Sequence, residues 1–166
     1  MSSPYQDPKK SLSDRVKDLL ARMTIDEKIA QLHAFWLILS EDGRHRVRYN
    51  DEFTRSSDPD HLPQLLRYGL GQITRPLGSH GVDPVKGVRA LNRLQQFLCQ
   101  ETRLGIPAIS HEECLNGLMV RGATMFPSAL AYGSTWNPEL IEKVGEVIGR
   151  EARSIGCHQG LAPVLD

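Results

Sequence analysis

Glu112 and Glu113 stand side by side in the segment Gly105-Ile-Pro-Ala-Ile-Ser-His-Glu-Glu-Cys-Leu-Asn-Gly117, directly after a short apolar run. Two carboxyl groups can divide the work of a hydrolysis, one attacking and one moving a proton, when they sit roughly 5 Å apart. Successive residues on an extended chain point to opposite faces, so these two should diverge and not form such a pair. A single carboxylate has another use: it only accepts hydrogen bonds, which suits a row of hydroxyl donors. Ile106, Ala108 and Ile109 predict a buried parallel strand over Ile106 to Ser110, with the acids at its carboxyl end, where α/β folds bind their substrates. A solvated acidic loop is the competing reading. His111-Glu112 does not extend to a zinc-protease motif, because the position four residues after His111 is Leu115.

Composition narrows the classes. The chain has 166 residues, 40% hydrophobic and 24% charged, which suits one soluble domain with a core. Its formal net charge is zero, so it has no electrostatic footprint for nucleic acid or an anionic membrane. Cys99, Cys114 and Cys157 are odd in number and far apart, which predicts buried reduced thiols and neither a disulfide framework nor a metal site. The polar stretch from Met1 to Asp14 lacks the apolar core of a secretory signal, which gives an expectation of cytoplasmic location. The apolar run from Ala34 to Leu39 is far short of the roughly 20 residues that span a bilayer.

The elements that position the acids are legible in caps and stripes. Ser13 or Asp14 is a candidate cap for a first helix with Val16, Leu19, Leu20 and Met23 at helical spacing. Thr24-Ile25-Asp26-Glu27 has the form of a capping box that opens a second helix through Ile29 and Leu32. Glu41 to Asp60 has no sustained period and reads as a surface loop, followed by a short helix from Asp58-Pro59 that carries Leu62, Leu65 and Leu66. Gly71 to Thr74 is a candidate first strand. Asp83-Pro84 opens a helix with Val85, Val88, Leu91, Leu94 and Leu98 inward and Gly105 as terminator. Asn137-Pro138 opens another with Leu140, Ile141, Val144, Val147, Ile148, Ala152 and Ile155 buried, and a third strand is predicted over Leu161 to Leu165. Strands alternating with helices build a parallel sheet from βα units.

Four motifs stand in order: Met23 to Leu32, the Ile-Pro strand with its carboxylate and Gly117, the Ala-Thr-x-Phe-Pro turn at Ala123 to Pro127, and Ala-Pro-Val-Leu-Asp at Ala162 to Asp166. From about Leu12 to the last residue the chain resembles the N-terminal domain of glycoside hydrolase family 3, the β-glucosidases and β-xylosidases. The resemblance implies a partial (β/α)8 TIM barrel with a helical lead-in, one domain over residues 1–166. A whole barrel needs about 250 residues, so about three of its eight strands are expected here. It further implies a retaining β-glycosidase that needs no cofactor, with its Asp nucleophile and its acid/base beyond residue 166 and no catalytic residue in this segment.

Onto Glu113, four residues before Gly117, the resemblance carries a ligand for the hydroxyls of the bound sugar. Most glucosidase-like members have Asp there; the longer Glu resembles the xylosidase-like members. Trp36 and Phe35 are candidates for a sugar-stacking wall, with a core aromatic as the alternative. Asn116 departs from the His that many members place before this glycine. Glu112 and His158 are read as structural, and Asp166 ends the third strand. The partner expected is a carbohydrate substrate. A non-enzymatic carbohydrate-binding or interaction module is the competing function, and continuation of the reading frame past Asp166 to an Asp-bearing strand separates the two.

Overall fold

The computed structural model describes residues 3–39, 45–47 and 62–163. Its elements in chain order are α1 (Leu12–Arg22), α2 (Ile25–Gln31), β1 (Ala34–Phe35), β2 (Leu37–Leu39), β3 (His45–Val47), α3 (Leu62–Leu65), β4 (Gln72–Thr74), α4 (Pro84–Gln100), β5 (Ile109–Glu113), α5 (Ala129–Gly133), α6 (Pro138–Ser154) and β6 (Gln159–Leu161). Four strands form one parallel sheet in the order β1-β4-β5-β6, each paired with the next parallel strand along the chain. That sequential order, with helices between strands, is how the wall of an α/β barrel is laid down. The fold is therefore α/β, with a parallel sheet that forms part of a TIM-barrel-like domain.

One more parallel strand is present than the sequence reading expected. Ala34–Phe35 pairs with Gln72–Ile73, a strand of two residues that is too short for any periodicity to reveal. The stretch read as a loop contains a further strand: His45–Val47 pairs antiparallel with Leu37–Leu39. The remainder of that stretch, and the start of the helix predicted at Asp58, lie outside the described residues. The central strand is displaced from Ile106–Ser110 to Ile109–Glu113, so both acids lie within it. Gly105 has a left-handed φ of +61° and Pro107 has no N–H, so the ladder begins only when the Ile109 amide donates to Gly71 O at 2.9 Å. The third predicted strand begins earlier, at Gln159, and its predicted end, residues 164–166, is outside the described residues.

Capping chemistry sets the helix starts. Thr24 and Glu27 form the capping box on α2, Asp83 caps α4 with Pro84 in its first turn, and Asn137 caps α6 with Pro138 likewise. The cap of α1 is Ser11, whose hydroxyl accepts from the Asp14 amide, in place of Ser13 or Asp14 themselves. Leu91, Leu94 and Leu98 of α4 pack with Ile73, Leu66, Leu70 and Leu77 in one core. Val85, predicted inward, is 60% exposed in the first turn of α4. The face of α6 is also less covered than its stripe suggests. None of its residues is fully buried, and Leu140 is 45% exposed. Cys114 and Cys157 are buried as expected, whereas Cys99 is exposed near the end of α4.

The lead-in helices are tied to the amino-terminal side of the sheet. Gly71 and Gln72 amides donate to Ala30 O and His33 O at 3.0 Å, and Arg103, in the loop before β5, donates to the Glu27 carboxylate and to Arg22 O.

Candidate functional site: the carboxyl ends of β1, β4 and β5

Register fixes which side chains share a face. Ile73 belongs to the helix-side core and pairs with Ser110, so Ser110 and Glu112 lie on the helix side of β5. His111 and Glu113 then lie on the opposite face, with Thr74 beside His111 on one strand and Gln159 beside it on the other. Ile109 shares that face and is 45% exposed, which shows that the sheet is open there. This is the face that lines a barrel's interior, and Glu113 is at its carboxyl end, partly buried.

Glu112 is fully buried, and its carboxylate accepts from the Leu77 amide at 2.7 Å and from the Gly78 amide at 3.2 and 3.3 Å. Burial pushes its pKa up to about 7, even though those two amides and the nearby Arg75 favour the charged form. Because the two acids project to opposite sides of one strand and Glu112 is engaged in this way, they cannot act as the paired carboxylates of a retaining hydrolysis. His111 is buried too, and its Nδ1 has no hydrogen-bond partner among the described residues. Burial holds its pKa below the ordinary value, with Glu113 opposing, so the imidazole is neutral at pH 7.

Trp36, immediately after β1, donates through its indole N–H to Ser79 Oγ, and the Arg75 guanidinium lies 5.4 Å from the centre of its ring. Arg75 follows β4 directly, with a left-handed φ of 44°. Sequence reasoning singled out Glu113 and Trp36 but passed over Arg75. The available signal was its place as the first residue after a predicted strand. His158, read as structural, is exposed, and its Nδ1 accepts from the Ser110 amide at 3.0 Å, which fits a structural role.

Two of the motifs meet at Gly117. Its φ is +90°, a Cβ there would lie 2.2 Å from Thr124 O, and the Phe126 amide donates to Asn116 O at 2.9 Å. The Ala123–Pro127 turn is thus seated against the loop that follows Glu113.

The helix side holds a separate cleft of about 880 Å³ between the β5–β6 edge and α5 and α6, lined by Cys114, Leu115, Tyr132, Ile148, Cys157 and Gly160 among others. Glu113 and Trp36 do not line it. It is the gap beneath the loosely covered α6, and burial raises the Cys114 thiol there to about 11, which keeps it unreactive. Among the described residues no cluster of three potential metal ligands occurs, and no helix is long and apolar enough to cross a membrane.

Residues 24–166 match the family model described as the glycosyl hydrolase family 3 N terminal domain. The chain belongs to this family. A putative β-xylosidase from Formosa agariphila is 30% identical over 99% of the chain and 21% of its own length. A second β-xylosidase from that organism is 42% identical over 72% of the chain and 16% of its own length. A solved β-glucosidase from Erythrobacter marinus superposes with a TM-score of 0.75 at 32% identity, over 99% of this chain and 20% of that one. The family 3 segment described here thus spans about a fifth of the length of these relatives.

Proposed function

We propose that this chain forms the part of a retaining β-glycosidase site that grips the non-reducing sugar, with β-xylosides or β-glucosides as substrates. The observation that carries this reading is the position of Glu113: a partly buried carboxylate at the carboxyl end of β5, on the open interior face of a parallel sheet, within a family 3 domain. There an ionised carboxylate accepts hydrogen bonds from sugar hydroxyls. Trp36, ending the adjacent wall beyond β4, supplies an apolar surface for a sugar face. The names of the relatives, β-xylosidase and β-glucosidase, support the substrate class. The nucleophile and the acid/base of the reaction are assigned to chain outside these residues, since neither Glu112 nor Glu113 is placed for those roles.

The test is nitrophenol release from aryl β-xyloside and β-glucoside, by the protein expressed from its complete gene and by the 166-residue chain alone. The first is expected to turn over and the second not, because binding groups without a nucleophile do not cleave the bond. Turnover by the short chain that disappears on Glu112→Gln or Glu113→Gln would make these acids catalytic and overturn the assignment.

A further inference from the structure

The turn from Arg75 to Ser79, which follows β4, is held from several sides at once. The Arg75 amide donates to His111 O at 2.9 Å, tying the start of the turn to β5. The Glu112 carboxylate receives the Leu77 and Gly78 amides from below. A Cβ on Gly78 would lie 2.5 Å from Met119 O and 2.6 Å from Glu112 Oε2, so the turn is pressed against both. Ser79 Oγ donates back to Arg75 O at 2.6 Å and receives the Trp36 indole N–H. The effect of these contacts is to hold Arg75, a residue with a side chain, at φ 44°. A left-handed backbone at a non-glycine position is strained and persists only when its surroundings impose it.

The fold uses only part of the side chain so presented. Arg75 Nη2 donates to Gly78 O at 3.5 Å, whereas its Nε is shielded from solvent and has no hydrogen-bond partner among the described residues. Among the described residues no carboxylate forms a salt bridge with it. Strand order β1-β4-β5 places Arg75 at the carboxyl end of the middle strand, between Trp36 and Glu113 on its two neighbours.

We propose that Arg75 is a sugar ligand of the same site, donating to hydroxyl oxygens beside Glu113, and that Glu112 is the residue that positions it through the Arg75–Ser79 turn. This rests on the glycosidase reading above and deepens it. A guanidinium only donates and a carboxylate only accepts, whereas each hydroxyl of a sugar does both. Two neighbouring hydroxyls can therefore give their protons to Glu113 and their lone pairs to Arg75. The ligand class is a pyranose with an unsubstituted vicinal diol, its apolar face available to Trp36.

The experiment uses the protein expressed from its complete gene, with 4-nitrophenyl β-xyloside and its monodeoxy analogues. Arg75→Ala and Arg75→Lys should each lower kcat/KM roughly tenfold to a hundredfold, the loss expected for a hydrogen bond from a charged group. Free guanidinium should restore part of the activity of Arg75→Ala, which a purely structural role does not allow. Removal of one diol hydroxyl should cost the Arg75→Ala protein much less than the parent. Glu112→Gln should raise KM, and its loss should not add to that of Arg75→Ala. If Glu113→Gln impairs the enzyme while Arg75→Lys and Arg75→Ala match the parent, Arg75 is not a ligand although the site stands. If Glu113→Gln is also without effect, the site itself is misplaced and the proposal falls with it. Additive losses for Glu112→Gln and Arg75→Ala would remove Glu112 from the positioning role.

Discussion

At Glu113 one methylene distinguishes Glu from Asp, and in a pocket a methylene is worth roughly 1–3 kcal/mol of discrimination. Glu113→Asp in the protein from the complete gene should shift preference from pentoside toward hexoside by making room beside the sugar ring. Equal relative kcat/KM on the two aryl substrates before and after would take Glu113 out of the specificity argument. Glu112 makes a different prediction, about pH. Its folded pKa of about 7 stands above the ordinary 4.5, so the folded chain binds more protons than the unfolded chain between those values. The stability of the protonated form is therefore fully present below about pH 4.5 and is lost as pH rises through about 7, by at most about 3 kcal/mol. The urea midpoint for loss of helix should fall from pH 5 to pH 8, and the fall should shrink in Glu112→Gln.

Among the elements, α2 is joined to the rest by Glu27. Its carboxylate receives the Thr24 amide at 2.8 Å in the capping box and the Arg103 Nε–H at 2.8 Å from the loop before β5. The Arg103 hydrogen bonds hold the Glu27 carboxyl below the ordinary carboxylate range despite its burial. Because that pKa is depressed, the contribution is present above the ordinary carboxylate value and is lost as pH falls. Glu27→Ala removes a cap partner and leaves Arg103 without its acceptor, a loss of about 2 kcal/mol. Faster amide exchange confined to α2 and the turn around Arg103 is the expected readout. Arg103→Met should cost less, since the cap survives and Arg103 is 54% exposed.

For the whole molecule, the described surface is unusually apolar in places. Leu32, Leu130, Met125 and Trp136 are each at least 74% exposed, Ile109 is exposed on the sheet's interior face, and α6 has no fully buried residue. β6 is the last strand of the described sheet and has one neighbour only. Open strand edges and large apolar patches drive association. The 166-residue chain expressed alone should therefore show helical circular dichroism together with self-association and strong binding of a hydrophobic dye. A monomer in sedimentation that binds no dye and melts in one sharp transition would refute this.

Local chemistry was enough to locate the main helices. Thr24 with Glu27, Asp83 with Pro84 and Asn137 with Pro138 act within a single turn, so their meaning is already present in the sequence. The alternation of strand and helix likewise gave the parallel architecture, and the order of four motifs gave the family. Beyond that range the sequence was ambiguous, because β1 and β4 are two and three residues long and exist only through their pairing. The family resemblance marked Glu113 as the sugar ligand and left Glu112 structural, but no local pattern could tell which of the two adjacent glutamates turns toward the helices. That depends on register, which pairs Ser110 with Ile73 and so sends Glu112 to the helices and Glu113 to the open face. Arg75 was hidden for the same reason: the turn that carries it after β4 is clasped by Glu112, 37 residues away, through the Leu77 and Gly78 amides.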